Sequence, residues 1–320
     1  RHGGARAKSV LILTYVPTNS DSGQLASATS GPSLRIPSGG LTLAADAYGD
    51  DTDPPVVLLH GGGQTRHSWR RTARRLGADG WYTLTVDLRG HGDSGWSPEG
   101  DYALDAFADD VLALRRALGR PPVLIGASLG GIASLAAVGR DPDVARGLVL
   151  VDVSPFLQPR GTGRIMDFMR AAPDGFASVE DAADAVAAYL PHRERPRDPA
   201  GLRKNLRFAD GRWYWHWDPA FVFPPEGHDP RLRLRTPLEE LSAIVTRLRI
   251  PTMLVRGGQS DVLGEDDARR FLDLAPHAEY CDVAGAHHMV AGDDNAVFDV
   301  RILDFLQRRI RPRLVLGPGD

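Results

Sequence analysis

A chain of 320 residues is long enough for one large α/β domain carrying an insertion, or for two smaller domains. With 42% hydrophobic and 25% charged residues it has the balance of a globular protein, and a formal net charge of -3 gives no positive field for a nucleic-acid backbone. The single cysteine, Cys281, excludes an internal disulfide, a cysteine-built zinc site and a C-x-x-C redox pair, and no apolar run approaches the roughly 20 residues of a membrane-spanning helix.

Residues 1–8 are basic and 10–16 are apolar, the order of a secretory signal, but the apolar stretch is short and is interrupted by Thr14 and Tyr15. Residues 18–40 are dominated by Ser, Gly, Thr and Pro, which bury too little apolar surface to order a chain. The expectation is a disordered extension over 1–33 on a cytoplasmic protein, with secretion as the alternative. From Leu34 onward, the alternating stretches 33–36 and 41–48 flank a Ser-Gly-Gly turn and predict a hairpin.

Short apolar runs bounded by Gly and Pro follow at 55–59, 81–86, 123–125, 148–151 and 252–255, with a last strand predicted at 279–283. Runs of this kind suit parallel strands buried on both faces, and the amphipathic stretches between them suit crossover helices. A doubly wound sheet is predicted. Residues 154–248 break the rhythm with helical material at 165–171 and 179–189, Pro-rich and Arg-rich segments, and the aromatic cluster Trp213, Tyr214, Trp215 and Trp217. They read as a cap over the carboxyl edge of the sheet, where open α/β folds place ligands. The core then comprises 34–153 and 249–311, with 312–320 as a tail.

The strongest local signal is Gly126-Ala127-Ser128-Leu129-Gly130-Gly131, between an apolar run and a helical one. A serine on a sharp strand-to-helix turn needs small neighbours, and at the helix amino terminus unpaired N–H groups favour developing negative charge. Without its context the same sequence would be a helix start capped by Ser128. The run 55–59 ends in His60-Gly61-Gly62-Gly63-Gln64, a loop whose backbone can approach a ligand closely. It lacks the spacing of either a P-loop or a dinucleotide site. It therefore suits an oxyanion donor, from Gly62 or Gly63, beside a second donor from Leu129. His60 is expected to pin that loop.

A serine hydroxyl needs a base, and the base needs a carboxylate to orient it. Asp261 follows the run 252–255 in a turn, and His287 and His288 follow the predicted last strand, which gives the chain order Ser, Asp, His. Asp152, at the end of 148–151, is the alternative acid, and either histidine suits the base. His91 and Asp93 are expected to shape a turn, His216 and His228 to be surface residues, and no cluster has metal-ligand spacing.

Taken together, these motifs resemble the α/β-hydrolase superfamily, in particular its esterase, epoxide hydrolase and non-haem haloperoxidase branch. The match rests on His60–Gly63, Asp87-Leu88-Arg89-Gly90-His91-Gly92-Asp93-Ser94, Gly126–Gly131, the Asp261 turn and Gly285-Ala286-His287-His288-Met289. The resemblance implies a mostly parallel eight-stranded sheet with a helical cap between strands 6 and 7, and favours His288 as the base because it directly precedes Met289. His287 departs from the glycine common at its position. Serine rather than aspartate at the elbow disfavours epoxide hydrolase and dehalogenase chemistry.

The function expected is hydrolysis of a carboxylic ester of a small hydrophobic or aromatic molecule, without cofactor or metal. The alternatives are a C–C bond hydrolase acting on a diketone-type substrate through the same triad, or a ligand-binding receptor on the same fold. Trp69, Met166, Phe168, Trp213, Trp215, Trp217 and Phe221 are the candidate pocket residues. Seven basic and three acidic residues between Arg193 and Arg212 would suit a carboxylate-bearing substrate, or simply a solvated surface. The partner expected is a small-molecule ester, with no nucleic acid and no integral membrane association. No feature of the sequence specifies an oligomeric state.

Overall fold

The computed structural model describes residues 14–15, 33–191, 197–224, 238–288 and 296–315. A two-residue strand β1 (Thr14–Tyr15) pairs antiparallel with β2 (Ser33–Ser38), opposite Arg35 and Leu34. β2 then turns into β3 (Leu41–Tyr48) through Gly39 and Gly40. Both turn glycines have positive φ, 51° and 82°, the backbone that lets a two-residue turn follow the twist of its strands.

The chain continues through β4 (Pro55–Leu59), α1 (Arg70–Ala78), β5 (Tyr82–Val86), α2 (Leu104–Leu118), β6 (Val123–Ala127), α3 (Leu129–Arg140) and β7 (Gly147–Val151). It then leaves the sheet for α4 (Pro159–Arg170), α5 (Val179–Tyr189), a separate hairpin of β8 (Leu206–Ala209) and β9 (Arg212–Trp215), α6 (Pro219–Val222) and α7 (Leu238–Arg247). It returns with β10 (Thr252–Gly257), α8 (Glu265–Leu274) and β11 (Glu279–Val283). The last helix, α9 (Ala296–Phe305), runs through a π turn (Leu306–Ile310) into α10 (Arg311–Val315).

The main sheet has the order β1-β2-β3-β5-β4-β6-β7-β10-β11. Every pairing from β5 to β11 is parallel, and only the β1–β2, β2–β3 and β3–β5 pairings are antiparallel. Apart from the short β1, this is the expected eight-stranded, mostly parallel sheet. Strands β4, β6, β7 and β10 are buried along their whole length, which is why they read as unbroken apolar runs.

One face of the sheet packs on α2, α3, α7 and α8 through Phe107, Leu135, Ile244 and Phe271; the other packs on α1 and α9 through Leu76, Phe298 and Phe305. The segment between β7 and β10 has its own small core, including Met169, Phe176, Trp215 and Trp217. No helix among the described residues is long and apolar enough to cross a membrane.

Candidate active site

Ser128 stands between β6 and α3 with φ 46° and ψ -114°, a backbone conformation that L-residues rarely adopt and that costs free energy to hold. The surrounding glycines make it possible. A Cβ on Gly126 would come within 2.4 Å of the Gly130 backbone, one on Gly130 within 2.6 Å of the Leu59 carbonyl oxygen, and one on Gly131 within 2.5 Å of Val153. The Ser128 amide donates to the Val151 carbonyl at 3.1 Å, which ties the turn to the end of β7.

Asp152 follows directly on β7, also at positive φ (53°), and is fully buried. Its carboxylate accepts from the Gly257 amide at 2.9 Å, from the Ser260 hydroxyl at 2.5 Å and from His288 Nδ1 at 2.6 Å. Three donors offset the cost of burying a charge that meets no arginine or lysine among the described residues. With Nδ1 donating to the carboxylate, a neutral His288 ring keeps Nε2 as an acceptor. Ser128 and His288 line the same cavity; His287 does not line it.

Asp261, the first choice for the orienting acid, sits elsewhere. Its side chain is 38% exposed and pairs with Arg164 of α4 at 2.9 Å. After β10 the backbone turns at Gly257–Ser260, with the Ser260 amide donating to the Gly257 carbonyl. The turn brings the Ser260 hydroxyl to Asp152 and leaves Asp261 outward, its carbonyl packed against Gly161. The pairing of His288 with Asp152 therefore corrects the expected pairing with Asp261.

The glycine loop after β4 approaches the same point, since a Cβ on Gly61 would stand 3.3 Å from Ser128 Cβ. Three histidines hold that loop. His60 Nδ1 donates to the Gly61 carbonyl (2.7 Å), while its Nε2 accepts from the Leu88 amide (3.0 Å). His91 Nε2 accepts from the Gly63 amide (3.1 Å), and His216 Nε2 donates to the Gly63 carbonyl (3.3 Å) while its Nδ1 accepts from Gly92. Each ring thus needs one protonated and one bare nitrogen, which only neutral imidazole supplies.

Burial imposes the same state: it is the main cause pushing His60 down to about 4, His91 to about 3 and His216 well below the ordinary histidine value. His216, expected at the surface, is 5% exposed and joins the inserted segment to the loop. His228 lies outside the described residues. Because the Gly63 amide is committed to His91, Gly62 has the freer N–H of the two; neither it nor the Leu129 N–H meets an acceptor among the described residues.

The cavity has a volume of about 1900 Å³ and lies between the carboxyl ends of the strands and the inserted segment. Of the candidate pocket residues, Met166, Phe168, Trp215, Trp217 and Phe221 line it. Trp69 does not: it is fully buried between α1 and the sheet, against Phe298. Trp213 packs on Phe208 and beneath Arg203, away from the cavity. Sequence reasoning missed Ser260, whose place in the Gly-Gly-Gln-Ser-Asp turn was the only available signal, and Met169, which packs against the Gly62–Gly63 backbone.

A serine held in a strained turn, a carboxylate–imidazole pair opening into the same cavity and two unengaged amides together meet the requirements of nucleophilic acyl transfer. The sequence profile of the alpha/beta hydrolase fold matches residues 54–294. Esterase Rv0045c of Mycobacterium tuberculosis is 31% identical over 235 residues, covering 70% of this chain and 72% of the relative. The sn-1-specific diacylglycerol lipase ABHD11 of Mus musculus is 31% identical over 279 residues, covering 81% and 82%. Among solved structures, E-2-(acetamidomethylene)succinate hydrolase superposes with a TM-score of 0.74 at 25% identity, covering 86% of this chain and 98% of that one. The names of these relatives support hydrolase activity here. On the profile match and the sequence identity alike, the chain belongs to the alpha/beta hydrolase fold family.

Proposed function

We propose that this chain is a serine hydrolase that cleaves a carboxylic ester of a small hydrophobic or aromatic molecule, with Ser128 as nucleophile, His288 as base and Asp152 as the acid that orients it. The observation that carries this reading is the 2.6 Å contact between Asp152 and His288, whose ring lines the cavity that Ser128 also lines. A non-catalytic receptor would gain nothing from a strained serine lining the same cavity as such a pair.

Ser128 Oγ attacks the carbonyl carbon as His288 Nε2 takes the hydroxyl proton, and Asp152 stabilises the resulting imidazolium. The N–H groups of Gly62 and Leu129 hold the oxyanion. Collapse expels the alcohol, which leaves with the proton from His288. A water, deprotonated by the same histidine, then attacks the acyl-enzyme; the acid departs and Ser128 regains its proton. The inserted segment serves as a cap, and Met166, Phe168, Trp215, Trp217 and Phe221 receive the apolar part of the substrate.

The test is turnover of p-nitrophenyl acetate and butyrate. Ser128→Ala is expected to lower kcat by more than about a thousandfold with an unchanged circular dichroism spectrum. Activity retained in a folded Ser128→Ala protein would rule the scheme out.

A further inference from the structure

The wall of the cavity is not uniformly apolar. Where α1 faces the inserted segment it carries Arg70, Arg71, Arg74 and Arg75 from the helix, Lys204 from the turn Pro199–Asn205, and His67 between them. Thr65 Oγ1 donates to Asn205 Oδ1 at 3.1 Å, which joins this corner across the two parts of the fold, and within it Arg70 Nη2 donates to His67 Nδ1 at 3.3 Å.

Charge compensation here is uneven. Arg66, just before His67, meets Asp46 at 3.1 Å, Asp87 at 2.5 Å and Asp93 at 2.8 Å, and Arg71 reaches Asp299 at 3.4 Å. Arg70 and Lys204 have no carboxylate partner among the described residues, and Arg70 Nε is buried with no acceptor. Partial burial and the nearby positive charge of Arg70 both push the Lys204 ammonium below its usual range. Two cations that destabilise each other beside an open cavity are relieved by an anion entering it.

His67 completes the set. Burial, and then the charge of Arg66, hold it down to about 4, so it is neutral near pH 7. Its Nδ1 accepts from Arg70, which makes Nε2 the donating nitrogen. A planar guanidinium matches a carboxylate with two parallel hydrogen bonds, and an ammonium adds a third.

We propose that Arg70 and Lys204, with His67, form a subsite for a carboxylate of the substrate, so that the ester hydrolysed is one bearing a free carboxylate, such as a half-ester of a dicarboxylic acid. This rests on the reading of the cavity as a serine hydrolase site and adds the class of substrate to it.

Mono-p-nitrophenyl glutarate and p-nitrophenyl valerate have acyl chains of equal length and differ in the terminal carboxylate. The wild-type protein is expected to favour the glutarate in kcat/KM, and Arg70→Met and Lys204→Met are each expected to lower the glutarate-to-valerate ratio about tenfold. Added salt should lower the wild-type ratio as well. A wild-type protein that favours valerate, or a ratio unmoved by both substitutions, overturns the subsite. Calorimetric binding of glutarate to Ser128→Ala protein, weakened when Arg70→Met is added, tests the same subsite without catalysis. Glutarate bound by a wild-type protein that hydrolyses neither ester would contradict the hydrolase reading alone; valerate hydrolysed with no glutarate binding would contradict the subsite alone.

Discussion

Asp152 is a buried carboxylate with three donors and, among the described residues, no arginine or lysine beside it, so of these the imidazole it holds is the group that can become its counter-ion. That fits a residue whose work is to stabilise a transient imidazolium. Asp261 is engaged already, in a partly exposed pair with Arg164, and such pairs contribute about 0–1 kcal/mol. Asp152→Asn is accordingly expected to lower kcat on p-nitrophenyl butyrate by about 10³–10⁴-fold, while Asp261→Asn stays within about threefold. The reverse ranking would return the role to Asp261. At this scale the sequence displayed the serine, both aspartates and both histidines, each on a turn after an apolar run. The choice between the aspartates was hidden because β7 and β10 are neighbours that both end in an Asp-bearing turn. Only the register that aligns Val151 with Val255, and sets Asp152 beside the Gly257 amide, shows which of them lies against His288. Trp69 and Trp213 were hidden for another reason: an aromatic side chain suits a helix–sheet core and a pocket wall equally well.

Two loops converge on the glycine turn after β4, and histidine rings connect all three. His60 sits in the turn itself and His91 in the loop after β5; His216, just past β9, clamps both sides of the Gly63 peptide together with His91. None of these loops has a periodicity that foretells its partner, and this is why His216 read as a surface residue. Their shared neutral state has a consequence for stability. All three take up protons in the unfolded chain near the ordinary histidine value of 6.5, but in the folded protein only well below it. The unfolded state therefore binds more protons across this window, and the stabilisation present above about pH 6.5 is lost as pH falls towards 4. His60, fully buried and held far below its ordinary value, carries a substantial part of that loss. Urea midpoints measured from pH 7 down to pH 4 are expected to fall steadily, and His216→Gln should flatten the slope. A midpoint independent of pH over this range would show that the histidines titrate normally.

Across the whole molecule, the parallel strands β4, β6, β7, β10 and β11 deliver their following loops to one edge of the sheet, and each loop supplies part of the site. β4 leads to the glycine loop, β6 to Ser128, β7 to Asp152, β10 to Gly257 and Ser260, and β11 to His288. That architecture was largely legible because a strand covered by helices on both faces must be apolar throughout, and such short runs differ from amphipathic helices. The inserted segment was legible as an interruption, while its β8–β9 hairpin and its docking onto the glycine loop through His216 and Asn205 were not. In the proposed scheme this whole converging edge serves the nucleophilicity of one serine hydroxyl. Its most direct measurement is covalent capture with a fluorophosphonate, read by intact mass and peptide mapping. One adduct per chain, on Ser128 and lost in both Ser128→Ala and His288→Ala proteins, is the expected result; an unlabelled folded protein, or an adduct on any other residue, would contradict it.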